Sequence, residues 1–260
     1  MAIVRLNGGL GNQMFQYAFG RSVAHNNRES LYFLFNSDKG AISREYKLDT
    51  FGLKENYHDS IRKKVERKVL GTKTVTEKGV NYNPKFLHIK NALFIGYWQS
   101  EKYFKNIGSI IRNQFTFPDK SPKIKPESNS VSVHIRRTDY VSNPVHFQLN
   151  RRYYLESIRR IRLKIKEPNF YIFSDDIHWA KNNLNLESKT VYVSELGFQD
   201  YQEMQIMSRC NHNIIANSSF SWWGAWLNSN PKKIVVAPKM WFSEIFVNLE
   251  DRLPKNWISI

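Results

Sequence analysis

The chain has 260 residues, with 39 Lys and Arg against 23 Asp and Glu, a formal net charge of +16. Its 17 Phe, 13 Tyr and 7 Trp exclude a disordered chain, since so much aromatic surface is not left in water, and the length suffices for a sizeable core or two modest domains. A single cysteine, Cys210, excludes an internal disulfide framework and suits a reducing compartment. The start, MAIVRLNGGLGNQ, lacks a basic segment followed by an apolar one, and no apolar run reaches the roughly 18 residues of a membrane span. These features point to a cytoplasmic, basic globular protein drawn to polyanions, anionic membranes or phosphorylated small molecules.

Ala2–Leu6 reads as a short buried strand running into Gly8, Gly9 and Gly11, which permit a tight turn. A helix follows from Asn12, with Phe15, Ala18, Phe19 and Ser22/Val23 at helical spacing. Residues 31–35 (LYFLF) read as a second strand, so the chain opens in an α/β manner. Residues 61–70 predict an amphipathic helix with Ile61, Val65 and Val69 on one side and a basic opposite face. Residues 86–98 are apolar and strand-containing, and 105–115 predict a helix. The segment 117–130 carries Pro118, Pro122 and Pro126 among Lys, Ser and Asn, and reads as a linker. It separates a domain at 1–120 from one at 121–260, and the C-terminal segment has the option of packing back on the first.

The second half alternates more regularly. Strands are predicted at 131–135, 169–173, 190–194, 212–216 and 233–237. Helices fall at 151–166, with Tyr154, Ile158, Ile161 and Ile165 on one face, and at 176–185, 199–209 and about 220–228. Short apolar strands alternating with helices indicate a parallel sheet covered on both faces. Ligands on such sheets sit at the carboxyl ends of strands.

Four strand ends carry unusual residues. HIRRTDY at 134–140 places Arg136 and Arg137 after a buried strand, with Asp139 two residues on. Guanidinium forks suit phosphate oxygens, and a structural Arg–Asp salt bridge is the plain alternative. FSDD at 173–176 offers Asp175 to the ring N–H and amino groups of a purine, or offers a helix cap, which fits Asp176 well. NSSFSWWGAW at 217–226 supplies serines at a strand-to-helix junction, where helix amides make an anion site, and tryptophans that look like packing. NGGLGNQMFQYAFG at 7–20 puts Asn12 and Gln13 at a helix start, facing an interdomain cleft. It is neither G-x-G-x-x-G nor a P-loop. No G-x-S-x-G, H-E-x-x-H or D-x-D motif is present, which disfavours a nucleophile elbow or a metal site, and Cys210 reads as buried.

Together GGLGNQMFQYA, HIRRTDYV, FSDD and NSSFSWWGAWL resemble the bacterial α-1,2-fucosyltransferases of glycosyltransferase family eleven. The resemblance runs from Leu6 to about Pro238. It implies two Rossmann-like α/β domains facing across a cleft in a GT-B-like fold. It also implies GDP-fucose as donor, no cofactor or required metal, inversion at the fucose anomeric carbon, and a galactose-containing acceptor in surface-polysaccharide or O-antigen synthesis. Arg136 would bind the GDP phosphates and stabilise the leaving diphosphate; Arg137 would assist it or serve the structure. Asp175 would hold the guanine or its ribose. Ser218, Ser219 and the Phe220 backbone would hold phosphate, and Asn12 would reach the fucose or the phosphate.

Related α-1,6 enzymes are thought to place a Glu shortly after the HxRRxD Asp, yet YVSNPVHFQ at 140–148 has no acid. His146 and Asp139 remain as general-base candidates. Asp139 has the alternative of tying down Arg136, and a dissociative step would need little base. A rival reading is a nucleic-acid-binding protein, but the basic residues scatter over several helices and form no recognised module. The basic 61–70 and 151–166 helices suit peripheral contact with an anionic membrane bearing a lipid-linked acceptor, or are solvated faces. The loops at 36–60 and 71–85 are expected to shape the acceptor site.

Overall fold

The structure, a computed structural model, describes residues 1–35, 45–53, 71–118, 122–138, 145–186, 189–243 and 250–260. The helix predicted at 61–70 and the candidate Asp139 lie outside the described residues. The chain divides into two compact units, Met1–Pro118 with Asn248–Arg252, and Asp119–Val247 with Leu253–Ile260.

The first unit holds a four-stranded parallel sheet in the order β2-β1-β4-β3. Its strands are β1 (Ala2–Leu6), β2 (Leu31–Phe35), β3 (Lys73–Thr76) and β4 (Ala92–Ile95). In β1, Ala2, Ile3, Val4 and Leu6 are all buried, as a central parallel strand covered on both faces requires. Helix α1 (Leu10–Asn27) begins two residues before the predicted start. It approaches the sheet closely: a Cβ on Gly20 would lie 2.6 Å from Val4 Cγ2 and 2.9 Å from Leu31 Cδ1. Phe19 on α1 stacks on Trp98 with ring centroids 3.9 Å apart. The apolar 86–98 stretch contains β4 preceded by a 3₁₀ turn at Pro84–His88. Helix α2 (Gly108–Gln114) fills the region predicted helical at 105–115. The stretch 71–85 is not all loop. It contains β3, an edge strand in which only Val75 is buried, so the sequence shows no apolar run there.

The second unit holds a six-stranded parallel sheet in the order β7-β6-β5-β8-β9-β10. The strands are β5 (Ser130–Ile135), β6 (Asn169–Ser174), β7 (Thr190–Tyr192), β8 (His212–Ile214), β9 (Val235–Ala237) and β10 (Ile258–Ser259). Between them run α3 (Arg151–Arg162), α4 (Ile177–Asn183), α5 (Asp200–Arg209) and α6 (Ser219–Leu227). Alternation along β6 shows the two covered faces. Phe170 and Ile172 join one apolar cluster with Val131, Val133 and Ile158, while Tyr171 and Phe173 join another with Ile206 and Met207. The two-residue edge strand β10 is too short to read from sequence.

Both sheets are α/β, as the sequence predicts, and both reverse direction once. After β5 the chain winds outward through β6 and β7, then returns to place β8 on the other side of β5. In the first unit β4 returns to the free side of β1 in the same way. Loops leaving neighbouring strands at such a reversal diverge to opposite faces and open a crevice beyond the carboxyl ends.

Candidate functional site

In the second unit the reversal lies between β5 and β8, and Arg136, Arg137, Asp175, Ser218, Ser219 and Phe220 follow the ends of β5, β6 and β8 around it. Arg136 and Arg137 leave β5 directly beyond Ile135. The Asp175 carboxylate, just beyond β6, shapes this turn. Its Oδ1 accepts from the Arg137 backbone N–H at 2.8 Å, and its Oδ2 accepts from the Thr138 N–H at 3.2 Å and the Thr138 hydroxyl at 2.7 Å. Arg136 Nη1 lies 3.3 Å from the same Oδ2. A carboxylate accepts about four hydrogens, so Asp175 is occupied by the turn that carries Arg136.

The two arginines differ. Arg137 Nε reaches Asp176 Oδ2 at 3.2 Å, and its guanidinium lies 4.4 Å from the centroid of Trp179. Asp176 in turn caps α4, its Oδ1 accepting from the Trp179 N–H at 2.9 Å. Arg137 is therefore built into the wall, by an ion pair and a cation–π contact. Arg136 is the more exposed of the two, at 26% against 16% of the side chain.

His134 was not singled out from sequence, although it stands inside the motif. It lies inside β5, two residues before Arg136. The ring is 6% exposed and packs against Phe220 at 5.6 Å. Burial, and then the charge of Arg136, hold its pKa down at about 3, so the imidazole is neutral at physiological pH. Its Nδ1 is buried with no hydrogen-bond partner among the described residues.

Beyond β8, Asn217 and Ser218 lead into α6. Ser218 is the N-cap residue, nearly buried, and its side chain makes no capping hydrogen bond. The first amides of such a helix, from Ser219 and Phe220, have no intrahelical acceptor and carry the positive end of its dipole. Trp222, Trp223 and Trp226 are buried and packed on one another. His146 is brought to the same region. It forms a bridge with Phe242, and its ring lies over the Phe242 ring at 5.9 Å. Asn217 Nδ2 ties this bridge to the start of α6 by donating to the Phe147 carbonyl at 2.7 Å and the Trp241 carbonyl at 3.0 Å.

In the first unit Asn12 lies in the opening turn of α1, where Gln99 Nε2 donates to its Oδ1 at 2.7 Å. Gln13 does not face outward as the sequence reading had it. It is fully buried, donating to the Gly8 and Glu45 carbonyls at 2.9 Å and accepting from the Lys47 N–H. The reason is periodicity: α1 presents its next residue about 100° round the helix, so Asn12 and Gln13 cannot share an outward face.

Among the described residues no group of three or more His, Cys, Asp or Glu is placed to hold a metal ion, and no helix is long and apolar enough to cross a membrane.

A sequence model of the family described as Glycosyl transferase family 11 matches residues 1–260. A protein of Escherichia coli named alpha-1,2-colitosyltransferase is 34% identical over 292 aligned residues, covering 100% of this chain and 99% of its own. Another from Escherichia coli, O-antigen biosynthesis glycosyltransferase WbnK, is 34% identical over 286 residues, covering 92% of this chain and 94% of its own. A crystal structure of POFUT1 in complex with GDP matches with a TM-score of 0.52 at 12% identity, covering 91% of this chain and 97% of that one. That last likeness concerns the fold alone.

Proposed function

The chain belongs to glycosyl transferase family 11, and on that premise we propose that it transfers L-fucose from GDP-fucose to the 2-hydroxyl of a galactose residue, with inversion and without a metal ion. The observation that carries this reading is the half-buried Arg136 just beyond β5, at the β5–β8 reversal, held by Asp175, with the neutral His134 two residues before it packed on Phe220 of α6. In the reaction the acceptor oxygen bonds to the fucose anomeric carbon while the bond from that carbon to the diphosphate oxygen breaks. The electron pair leaves with GDP, and the acceptor proton passes to a base. Charge on the diphosphate grows toward the transition state, so Arg136 stabilises that state more than the ground state. The amides of Ser219 and Phe220, with the Ser218 hydroxyl, hold a phosphate at the start of α6. Arg137 stiffens the wall behind Arg136, and Asn12 contributes a donor-binding contact. His146 takes the acceptor proton, supported by the Asn217 hydrogen bond that ties its neighbour Phe147 to the start of α6.

Colitose is a second donor sugar with support, since one relative that covers the whole chain is named for its transfer. It is L-fucose lacking the 3-hydroxyl. The acceptor is a galactoside of a surface polysaccharide, carried on a lipid at the cytoplasmic membrane face, to which the exposed Arg151, Arg152 and Arg159 of α3 are suited. The test incubates the protein with GDP-fucose or GDP-colitose and a panel of β-galactosides in EDTA, reading GDP release, product mass and linkage by NMR. Transfer that survives EDTA and is lost in Arg136→Ala, with the fold retained, is expected. No transfer from either donor across the panel defeats the proposal.

A further inference from the structure

The reversal of the first sheet lies between β1 and β4. Two exposed side chains stand at the carboxyl ends of these strands. Tyr97, two residues beyond β4, is 46% exposed, and its ring and hydroxyl meet no partner among the described residues. Asn7 follows directly on β1 and is also exposed, and its carboxamide has no hydrogen-bond partner among the described residues.

The backbone under these two side chains is pinned by polar groups from within the unit. Gln16 of α1 is fully buried and joins the two strand ends through one carboxamide. Its Oε1 accepts from the Asn7 N–H at 2.9 Å, and its Nε2 donates to the Gly96 carbonyl at 3.0 Å. Glu77, just beyond β3, holds the other side. Its Oε2 accepts from the Tyr97 N–H at 2.7 Å and the Trp98 N–H at 2.9 Å. Only glycine fits between: a Cβ on Gly96 would lie 2.5 Å from Glu77 Cβ and 2.7 Å from Glu77 Oε2. Trp98 is held at φ +54°, in the left-handed region that a bulky side chain disfavours. Its ring is buried and stacked on Phe19, while Tyr97 stays outside. A single exposed ring is ordinary on a surface. A free ring beside a free carboxamide, on a backbone held from both sides at a sheet reversal, is preorganised for a ligand.

A pyranose has the matching chemistry. Its C–H groups suit the negative face of an aromatic ring, and its hydroxyls both donate and accept, as a carboxamide does. In galactose the axial 4-hydroxyl leaves a continuous patch of C–H on the opposite face. We propose that Tyr97 and Asn7 form a sugar subsite of the first unit. In it the C–H face of a galactose in the acceptor glycan stacks on the Tyr97 ring, and its hydroxyls exchange hydrogen bonds with the Asn7 carboxamide. The subsite rests on the reading that the acceptor is a galactoside.

The test compares wild type with Tyr97→Phe, Tyr97→Ser and Asn7→Ala. Saturation-transfer NMR with lactose, in the absence of nucleotide, reads sugar binding by itself. Steady-state kinetics with GDP-fucose and lactose read acceptor KM and donor KM, and thermal unfolding reads Tm. Saturation of the galactose ring protons is expected in wild type and Tyr97→Phe, and its loss in Tyr97→Ser. Acceptor KM is expected to rise about 10-fold in Tyr97→Ser and about 5-fold in Asn7→Ala, and to stay within about twofold of wild type in Tyr97→Phe. Donor KM and Tm stay near wild type in all three, since both side chains are exposed. Three results overturn the inference: lactose saturation that is absent from wild type or equal in wild type and Tyr97→Ser, a Tyr97→Phe variant as damaged as Tyr97→Ser, or a donor KM that rises in step with acceptor KM. Saturation that depends on Tyr97, without transfer from GDP-fucose, keeps the subsite and removes the transfer reading instead.

Discussion

Replacing His134 by Leu removes a buried titrating group from β5, and the consequence for stability follows from the burial of that ring. In the native chain the imidazole titrates at about 3, against 6.5 for an exposed histidine. The folded value is the lower one. Between the two the unfolded chain therefore binds more protons than the native one, and acid favours unfolding. Above pH 6.5 both states are neutral and the group costs nothing. As pH falls through 6.5, stability is lost, and the loss continues down toward 3. At pH 5 the unfolded imidazole is almost wholly protonated and the native one almost wholly neutral, which amounts to about 2 kcal/mol relative to pH 7.5. Urea unfolding followed by circular dichroism and tryptophan emission, at pH 7.5, 6.5, 5.5 and 5.0, measures it in wild type and His134→Leu. Glu77 and Glu203, whose carboxyls burial pushes up, act in the opposite direction. They are common to both proteins and cancel in the difference. The difference in stability is expected to shift by about 2 kcal/mol across this range, with a His134 ring resonance that does not titrate between pH 8 and 5. Arg136→Met should raise the native value, since the Arg136 charge is the second cause of its depression. Parallel stability curves for wild type and His134→Leu would refute the reasoning.

Three further outcomes follow from named contacts. Asp175→Asn keeps the volume but loses one charged oxygen from the turn that holds Arg136, and steady-state kcat/KM is expected to fall by about 10-fold or more. Gly20→Ala places a carbon 2.6 Å from Val4 Cγ2 and should cost about 1–3 kcal/mol in urea unfolding; an unchanged midpoint would contradict the close approach of α1 to β1. Cys210 is buried and its thiol is pushed up by that burial, so a disulfide reagent should modify it only after denaturation.

The parallel strands of the second unit were legible because each is a short apolar run closed by a polar residue, and all five predicted strands there exist with shifted ends. What escaped was one edge strand of each sheet. β3 buries one side chain in four, and β10 is two residues long, so neither leaves a pattern that periodicity can detect. Chemistry divided in the same way. Arg136, Asp175 and Ser218 stand at strand or helix ends, where polarity interrupts an apolar run and is conspicuous. His134 lies inside the strand, where a lone imidazole passes for a core residue. The sequence puts Gln13 outward with Asn12 because both stand at the helix start, although one helical step separates inside from outside.

The residues found from sequence and those found only from structure differ in what they do. In the function proposed above Arg136 and Asn12 meet the substrate, and each stands in a short motif where the chain turns sharply. Their partners come from elsewhere. Asp175 arrives from the next strand to orient Arg136. Arg252 meets Gln99, a partner of Asn12, across 153 residues, from a segment that carries no motif of its own. Such partners need only the right charge at the right place, so a carboxylate or guanidinium on any adjacent element suffices and no spacing is imposed on the sequence. Their contribution is nevertheless specific. A pure acceptor fixes which hydrogens point at it, and a pure donor fixes which oxygens do. Each unit thus uses one charged residue to remove an orientational choice from a neighbouring polar group. A group already aimed before binding loses less entropy when the substrate arrives.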